Sequence, residues 1–213
     1  MRKIIITIIL LLSCLSTTIS NEWVFKVKPS YITMQSSVIN RHPKWFSKEH
    51  DSDTFMCNLS FFTSKTYVGP YKDTNVNSDK NSKRWPILYI GSASSAILPW
   101  NENPSFNYDY KASGYPMLLG NGKKLRIGKT YFSRRNCPRT AIGTLPNGDI
   151  LIYITTASNL SKLQDRLYEL GCVSALNFDG GGSTFLCKGG KEVYPNKLAR
   201  RYPNVLVWKE KNI

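Results

Sequence analysis

Short apolar runs, one of them alternating with polar positions, recur along this chain and predict strands. Residues 23–27 alternate in this way, and 54–62, 86–90, 115–119, 140–143, 150–155 and 204–208 are further strand candidates. Gly120-Asn-Gly122 follows one of these segments as a tight turn, and Pro146-Asn-Gly-Asp149 is a hairpin signal between two others. Only one stretch has a helical period. Leu160, Leu163, Leu167 and Leu170 fall on one face, Asn159 or Ser161 can cap its start, and Gly171 can end it. A short apolar strand over 173–178 comes next. The polar segment 69–84 reads as a loop over a site. Strands outnumber the single helix, so the expected fold class is α+β, with a strand-rich twisted mixed sheet core and few flanking helices.

The amino terminus changes the picture of where the protein works. Arg2 and Lys3 precede an apolar stretch over 4–12, followed by a small polar run to Ser20, which is the form of a secretory signal peptide. Thr18-Ile-Ser20 suits an ordinary signal peptidase. Leu11-Leu-Ser-Cys14 instead resembles a lipoprotein box that would leave a lipid on Cys14, although the bulky Leu12 favours soluble secretion. The expectation is residues 1–20 as signal and 21–213 as a single domain, secreted or periplasmic, with an envelope lipoprotein as the alternative. Membrane contact is expected only through the signal segment or a lipid on Cys14.

Charge and cysteine content narrow the partners. Lys and Arg number 29 against 14 Asp and Glu, a formal net charge of +15. Outside the cytoplasm that balance favours anionic partners, namely phosphorylated glycans, anionic polymers or membrane head groups, rather than nucleic acid. Beyond the signal lie Cys57, Cys137, Cys172 and Cys187, an even number in a compartment that permits oxidation, so disulfide bonding is expected with the pairing open. A Cys172 to Cys187 bridge would brace both ends of the glycine run between them; reduced, buried thiols are the alternative. His42 and His50 are the only histidines and have no cysteine cluster beside them, so nothing predicts a zinc site.

The chemistry concentrates in Asn177-Phe-Asp-Gly-Gly-Gly-Ser-Thr184. Three adjacent glycines contribute no side-chain packing and cost backbone entropy, so their place beside one carboxylate and two hydroxyls at a strand end points to a polar site. Two other matches fail. Gly128-Lys-Thr130 looks like the end of a phosphate loop, but Lys123 stands where the earlier glycine is required, so it reads as a surface turn. Ser183 lacks a glycine two places on and no histidine follows it, which argues against a serine-hydrolase elbow.

Cys137-Pro-Arg-Thr-Ala-Ile-Gly143, Asn147-Gly-Asp149 entering a strand, the helix to Gly171, Ala175 to Thr184, and Arg200 or Arg201 ahead of Asn204-Val-Leu-Val207 together resemble the phosphodiester glycosidase family. Asn58 with Phe61 and Phe62 is similar to its early Asn-x-x-Phe segment, and Ser113-Gly-Tyr-Pro116 to its Gly-Gly-Pro turn. The resemblance covers roughly residues 55–208. Two departures bear on specificity: Thr155-Thr-Ala-Ser158 stands where larger members carry an Asp-Gly-Arg type of run, and the Gly-Gly-Pro turn has Ser113 and an inserted Tyr115.

The resemblance implies an exported hydrolase that cleaves a sugar from a glycosyl-1-phosphodiester, with a non-catalytic anionic-glycan-binding module as the alternative. On that reading Asp179 either activates water or stabilises an oxocarbenium-like centre, and the planar fork of Arg139 grips phosphate. Backbone amides of Gly180, Gly181 and Gly182 can form an anion nest, with Ser183 and Thr184 as hydroxyl donors and Arg200 or Arg201 as a second positive charge. Asn58 is a candidate sugar-binding amide, against the alternative of a buried amide serving the backbone. Trp85, Trp100 and Tyr110 are candidate sugar platforms, with packing the commoner use of each. No cofactor is required. A divalent cation at Asp179 is left open, one carboxylate being a weak basis for a hard-cation site.

Overall fold

The computed structural model describes residues 21–46, 50–63, 68–74, 76–78, 84–195, 198 and 200–209. The expected signal over 1–20, with both cleavage alternatives and Cys14, lies outside these residues. Three sheets carry the fold. In the six-stranded sheet, Cys137–Thr144 and Ile150–Ser158 form the expected hairpin, with Gly148 at a φ of 87° in its turn. Glu22–Val27 pairs on one side and Ser174–Asn177 on the other. The five-stranded second sheet centres on Thr54–Asn58 and Tyr202–Lys209. A third sheet, also five-stranded, is built on Ile87–Ile90 and Tyr110–Ser113. The α+β class and strand-rich core are those expected; each pairing between described strands is antiparallel, where mixed pairing was anticipated.

The period of two explains the layering. In Ile150–Ser158, Leu151 and Tyr153 face the helix Leu160–Glu169, and Ile152 and Ile154 face the second sheet. Leu160, Leu163 and Leu167 of that helix are buried on Leu118, Leu119, Ala141 and Ala175. Asn159 caps its start, accepting the Lys162 amide at 2.9 Å, and Gly171 leaves the helix at a φ of 84°. The central core sets Ile142, Ile152 and Phe178 against Phe55, Leu206 and Trp208.

Several elements differ from the sequence reading. The segment expected as a loop over 69–84 contains Tyr71–Lys72 and Asn77–Ser78, which pair with each other as the edge of the third sheet; residues 79–83 lie outside the description. Strands such as Ile32–Arg41 and Lys191–Tyr194 had no clear alternation to announce them. Thr130 caps the short helix Tyr131–Arg134, so the phosphate-loop lookalike is a surface turn.

The expected disulfide bonding is overturned, because Cys57, Cys137, Cys172 and Cys187 are all free thiols. Layering keeps them apart. Cys172 packs on Gly143 in the helix-side core, Cys57 lies between the sheets, and Cys187 is on the outer face of the second sheet. Cys57 pairs with Leu186, one rung from Cys187, and successive residues of a strand point to opposite faces. Alkylation of the mature chain in denaturant without reductant is expected to modify all four thiols, read by intact mass; a protected pair would contradict this arrangement.

Candidate active site

Strand Ser174–Asn177 runs out of the six-stranded sheet into the turn that carries Asp179, and Gly181–Ser183 closes that turn as a single 3-10 coil. One glycine is required there by backbone contact. A Cβ on Gly180 would stand 2.8 Å from the Pro138 carbonyl oxygen, and Gly182 lies directly under the Leu198 side chain. Gly181 adopts a φ of 63°, which favours glycine.

The backbone of the turn is held from below by Asn58. Its Nδ2 donates to the Asp179 carbonyl at 2.6 Å, and its Oδ1 accepts from the Thr140 hydroxyl at 2.9 Å and the Phe185 amide at 3.3 Å. Asn58 is wholly buried. With these bonds made, its amide serves the backbone, which is the structural alternative weighed for it above rather than a sugar contact. The Asp179 amide in turn donates to the Leu59 carbonyl at 3.2 Å.

The Asp179 side chain meets Ser183 and the Gly180 amide, which donates to its Oδ1 at 2.9 Å. Arg200 Nη1 donates to Ser183 Oγ at 3.1 Å, so the serine hydroxyl lies between the guanidinium and the carboxylate. Burial pushes the Asp179 carboxyl up from its ordinary 3.8 to about 6, and Ser183, Gly180 and Arg200 pull against that rise. Tyr202 donates its hydroxyl to the Ser183 carbonyl at 2.8 Å, and burial with the nearby Asp179 charge holds that phenol above its usual range.

Arg139 flanks the turn, its Cδ 3.6 Å from where a Gly180 Cβ would be. Its Nε donates to the Ser158 carbonyl at 3.2 Å, and its Nη2 to the Phe132 and Arg135 carbonyls at 2.9 and 3.0 Å. The guanidinium lies 4.8 Å from the Phe132 ring centre. Burial lowers its pKa, yet a guanidinium keeps its proton. Among the described residues no hydrogen bond engages Nη1, on a side chain that is only 1% exposed.

The turn thus gathers Asp179, Ser183 and Arg200, with Arg139 alongside. Gly180, Ser183 and Thr184 spend their amides within the turn, so the anion nest expected from three glycines narrows to the amides of Gly181 and Gly182. Thr184 is buried with its hydroxyl unpartnered, and Arg201 is exposed with no hydrogen bond or ion pair to the turn. Two features escaped sequence reasoning. Tyr202 is one; the other is an aromatic wall in which Tyr115 stacks on Trp85 at 5.6 Å, Trp85 meets Phe61 at 5.3 Å, and Phe61 approaches Phe132 at 6.4 Å. The Asn-x-x-Phe spacing was the one hint of Phe61. Of the other platforms considered, Tyr110 is half-buried against the core and Trp100 is 46% exposed beneath Arg84. Among the described residues no three His, Cys, Asp or Glu side chains gather at one place.

A six-stranded sheet ending in a glycine turn with one half-buried carboxylate marks a strand-rich α+β domain. The phosphodiester glycosidase family model matches residues 55–209, and the chain belongs to that family. Among solved structures, it is similar to the zebrafish N-acetylglucosamine-1-phosphodiester alpha-N-acetylglucosaminidase catalytic domain auto-inhibited by pro-peptide. That likeness has a TM-score of 0.72 and 14% identity over 90% of this chain and 83% of the other. A hypothetical protein from Synechocystis gives a TM-score of 0.61 and 13% identity, over 89% of this chain and 59% of the other. No curated protein matches.

Asn58→Ala strands a hydroxyl, an amide and a carbonyl in the interior, and is expected to destabilise the fold by on the order of 3 kcal/mol in urea unfolding. A loss near zero would contradict its bracing role. Because the folded carboxyl of Asp179 titrates above its unfolded value, the native chain binds the extra proton between the two. Stability present below pH 3.8 is therefore lost as pH rises to about 6, by roughly 3 kcal/mol. Asp179→Asn is expected to remove that slope and to raise stability at neutral pH; a variant that unfolds with the wild-type pH slope would refute the assignment.

Proposed function

We propose that this chain is an exported hydrolase that cleaves a sugar from a glycosyl-1-phosphodiester, in an envelope or extracellular polysaccharide, with Asp179 as the working carboxylate. The observation that carries the reading is the half-buried Asp179 carboxyl in a glycine turn, hydrogen-bonded through Ser183 to Arg200 and flanked by Arg139. Export rests on the leader-like pattern of residues 1–20. The partner is a phosphate-linked glycan, in keeping with the net charge of +15.

The chemistry needs only one carboxylate. Breaking the anomeric carbon–oxygen bond of a phosphodiester expels a phosphate monoester, a stabilised anion whose departure requires little help from a general acid, unlike an ordinary glycoside with its pair of working carboxyls. Asp179 in its ionised form either takes a proton from the attacking water or faces the positive charge that develops at the anomeric carbon. In this reading the guanidinium charge of Arg139 and the amides of Gly181 and Gly182 attract the phosphate oxygens. Arg200 acts through Ser183, orienting the carboxylate and easing its ionisation. The zebrafish protein's name specifies a phosphodiester-linked sugar. At this identity the likeness gives fold alone, and the sugar is to be found by experiment.

Sugar release from a panel of glycosyl-1-phosphodiesters tests the reading. Wild type is expected to release sugar with a kcat that rises with pH and levels off above about 6, the value of the Asp179 carboxyl, and Asp179→Asn to lose on the order of a thousandfold. Equal turnover by the variant would remove Asp179 from the reaction. Binding of the same compounds by both proteins, with turnover by neither, would make the chain an anionic-glycan-binding module.

A further inference from the structure

Between Asp109 and Asp149 the chain carries no carboxylate side chain, and most of its cations there fall in one run: Lys123, Lys124, Arg126, Lys129, Arg134 and Arg135. The fold turns that run into a fixed strip. Lys123–Lys124 pairs with Met117–Gly120 as the last strand of the six-stranded sheet. Gln164, buried on the helix Leu160–Glu169, then donates from Nε2 to the Leu118 and Leu125 carbonyls at 2.7 Å each, and Ile127 packs on the helix-side core. Thr130 and Ser133 form a reciprocal cap at the start of Tyr131–Arg134, and Arg134 Nη2 donates to the Lys129 carbonyl at 2.9 Å. The backbone is thus anchored from beneath while all six cationic residues are exposed.

The charge of the strip is largely uncompensated. Lys124 is paired with Asp165 at 2.7 Å and is set aside. Among the described residues no ion pair engages Lys123, Arg126, Lys129, Arg134 or Arg135. An ordinary solvated face mixes its signs, as on the helix Leu160–Glu169, where Arg166 pairs with both Glu22 and Glu169. Like charges also crowd at one end of the strip: burial lowers the Arg139 pKa, and the charge of Arg135 lowers it further. Large apolar groups are interleaved with the cations, Tyr131 at 79% exposed, Phe132 at 38% and Leu125 at 37%. Rings that can lie on sugar faces, set among cations that can meet phosphates, suit a chain in which sugars and phosphates alternate.

The strip also leads to the glycine turn. The Phe132 and Arg135 carbonyls accept from Arg139 Nη2 at 2.9 and 3.0 Å, and Arg139 flanks Gly180, the residue after Asp179. The Phe132 ring is at the same time one end of the aromatic wall, 6.4 Å from Phe61. One end of the strip therefore lies beside the candidate site and the other at the edge of the sheet. That continuity selects the partner. A lipid surface would meet the strip alone, whereas a flexible anionic chain can lie along it and still present one linkage to Asp179.

We infer that the strip 123–135 is a docking track for a polyanionic glycan, a chain of sugars joined through phosphodiesters, which it holds by the units flanking the one at Asp179. The inference rests on the proposed function for what is cut there. The test is calorimetric titration with synthetic mannosyl-1-phosphate oligomers, from the single unit to a long chain, beside neutral dextran and phosphatidylglycerol vesicles. The mature protein carries Asp179→Asn in the titrations, so that no chain is cut. Affinity is expected to rise with oligomer length and to fall with added salt. Replacing Lys123, Arg126 and Lys129 together by Gln is expected to weaken the long chain about tenfold, to leave the single unit unchanged, and to spare sugar release from a single-unit phosphodiester when Asp179 is restored. Replacing Lys26, Lys28 and Lys191 by Gln removes the same charge from exposed positions elsewhere, two of them at the opposite edge of the six-stranded sheet, and is expected to change long-chain binding less than twofold. Equal weakening by the two triple variants, affinity that does not grow with length, or binding of the vesicles with the oligomers ignored would overturn the track. Sugar release from the single unit with no preference for long chains would fail the track alone. Length-dependent binding lost in the strip variant, with no sugar released from any oligomer by the protein with Asp179, would fail the hydrolase reading alone.

Discussion

The side chain of Asn58 is the joint on which the candidate site depends. It sits at the end of a second-sheet strand and is bonded to Thr140 of the first sheet, to Phe185 beyond the glycine turn and to the Asp179 carbonyl. An amide can both donate and accept at such a junction, and burial makes each of those bonds costly to lose. With the Asp179 backbone fixed, the carboxylate has one place to be. The chain must then turn away at once past the Pro138 carbonyl and through a positive φ at Gly181, which is why glycine follows glycine.

That placement sets up an electrostatic conflict. Burial raises the energy of the ionised Asp179, whereas Ser183, the Gly180 amide and Arg200 favour it. The outcome is a carboxyl titrating at about 6, close enough to neutrality to be ionised in most extracellular settings yet held in a form that destabilises the fold. A group that costs stability where it stands is more readily explained by chemistry than by packing. Arg139 is the complementary case: a buried cation whose guanidinium is satisfied by backbone carbonyls, so that its charge is positioned without being cancelled.

Much of this was legible in the sequence because it is local. The helix period of Leu160, Leu163 and Leu167, the Asn159 cap and the hairpin at Gly148 depend on neighbouring residues, and the glycine run declares its backbone demands outright. What could not be read depends on distant parts of the chain. Tyr202 reaches the Ser183 carbonyl across a sheet, and Phe61, Trp85, Tyr115 and Phe132 form a wall only once separate loops converge. The cysteines show the same limit. Their number fitted an oxidising compartment, but which face of which sheet each thiol occupies is a matter of strand register, and register leaves them in separate layers.

In the proposed reaction the bond broken is the one between the anomeric carbon and oxygen, with a phosphate monoester as the leaving group. Hydrolysis of a glycosyl-1-phosphodiester in water enriched in heavy oxygen, followed by mass spectrometry of both products, tests this directly. The expected result is label in the anomeric hydroxyl of the released sugar and none in the phosphate. Label in the phosphate would mean attack at phosphorus, and would contradict a glycosidase organised around Asp179.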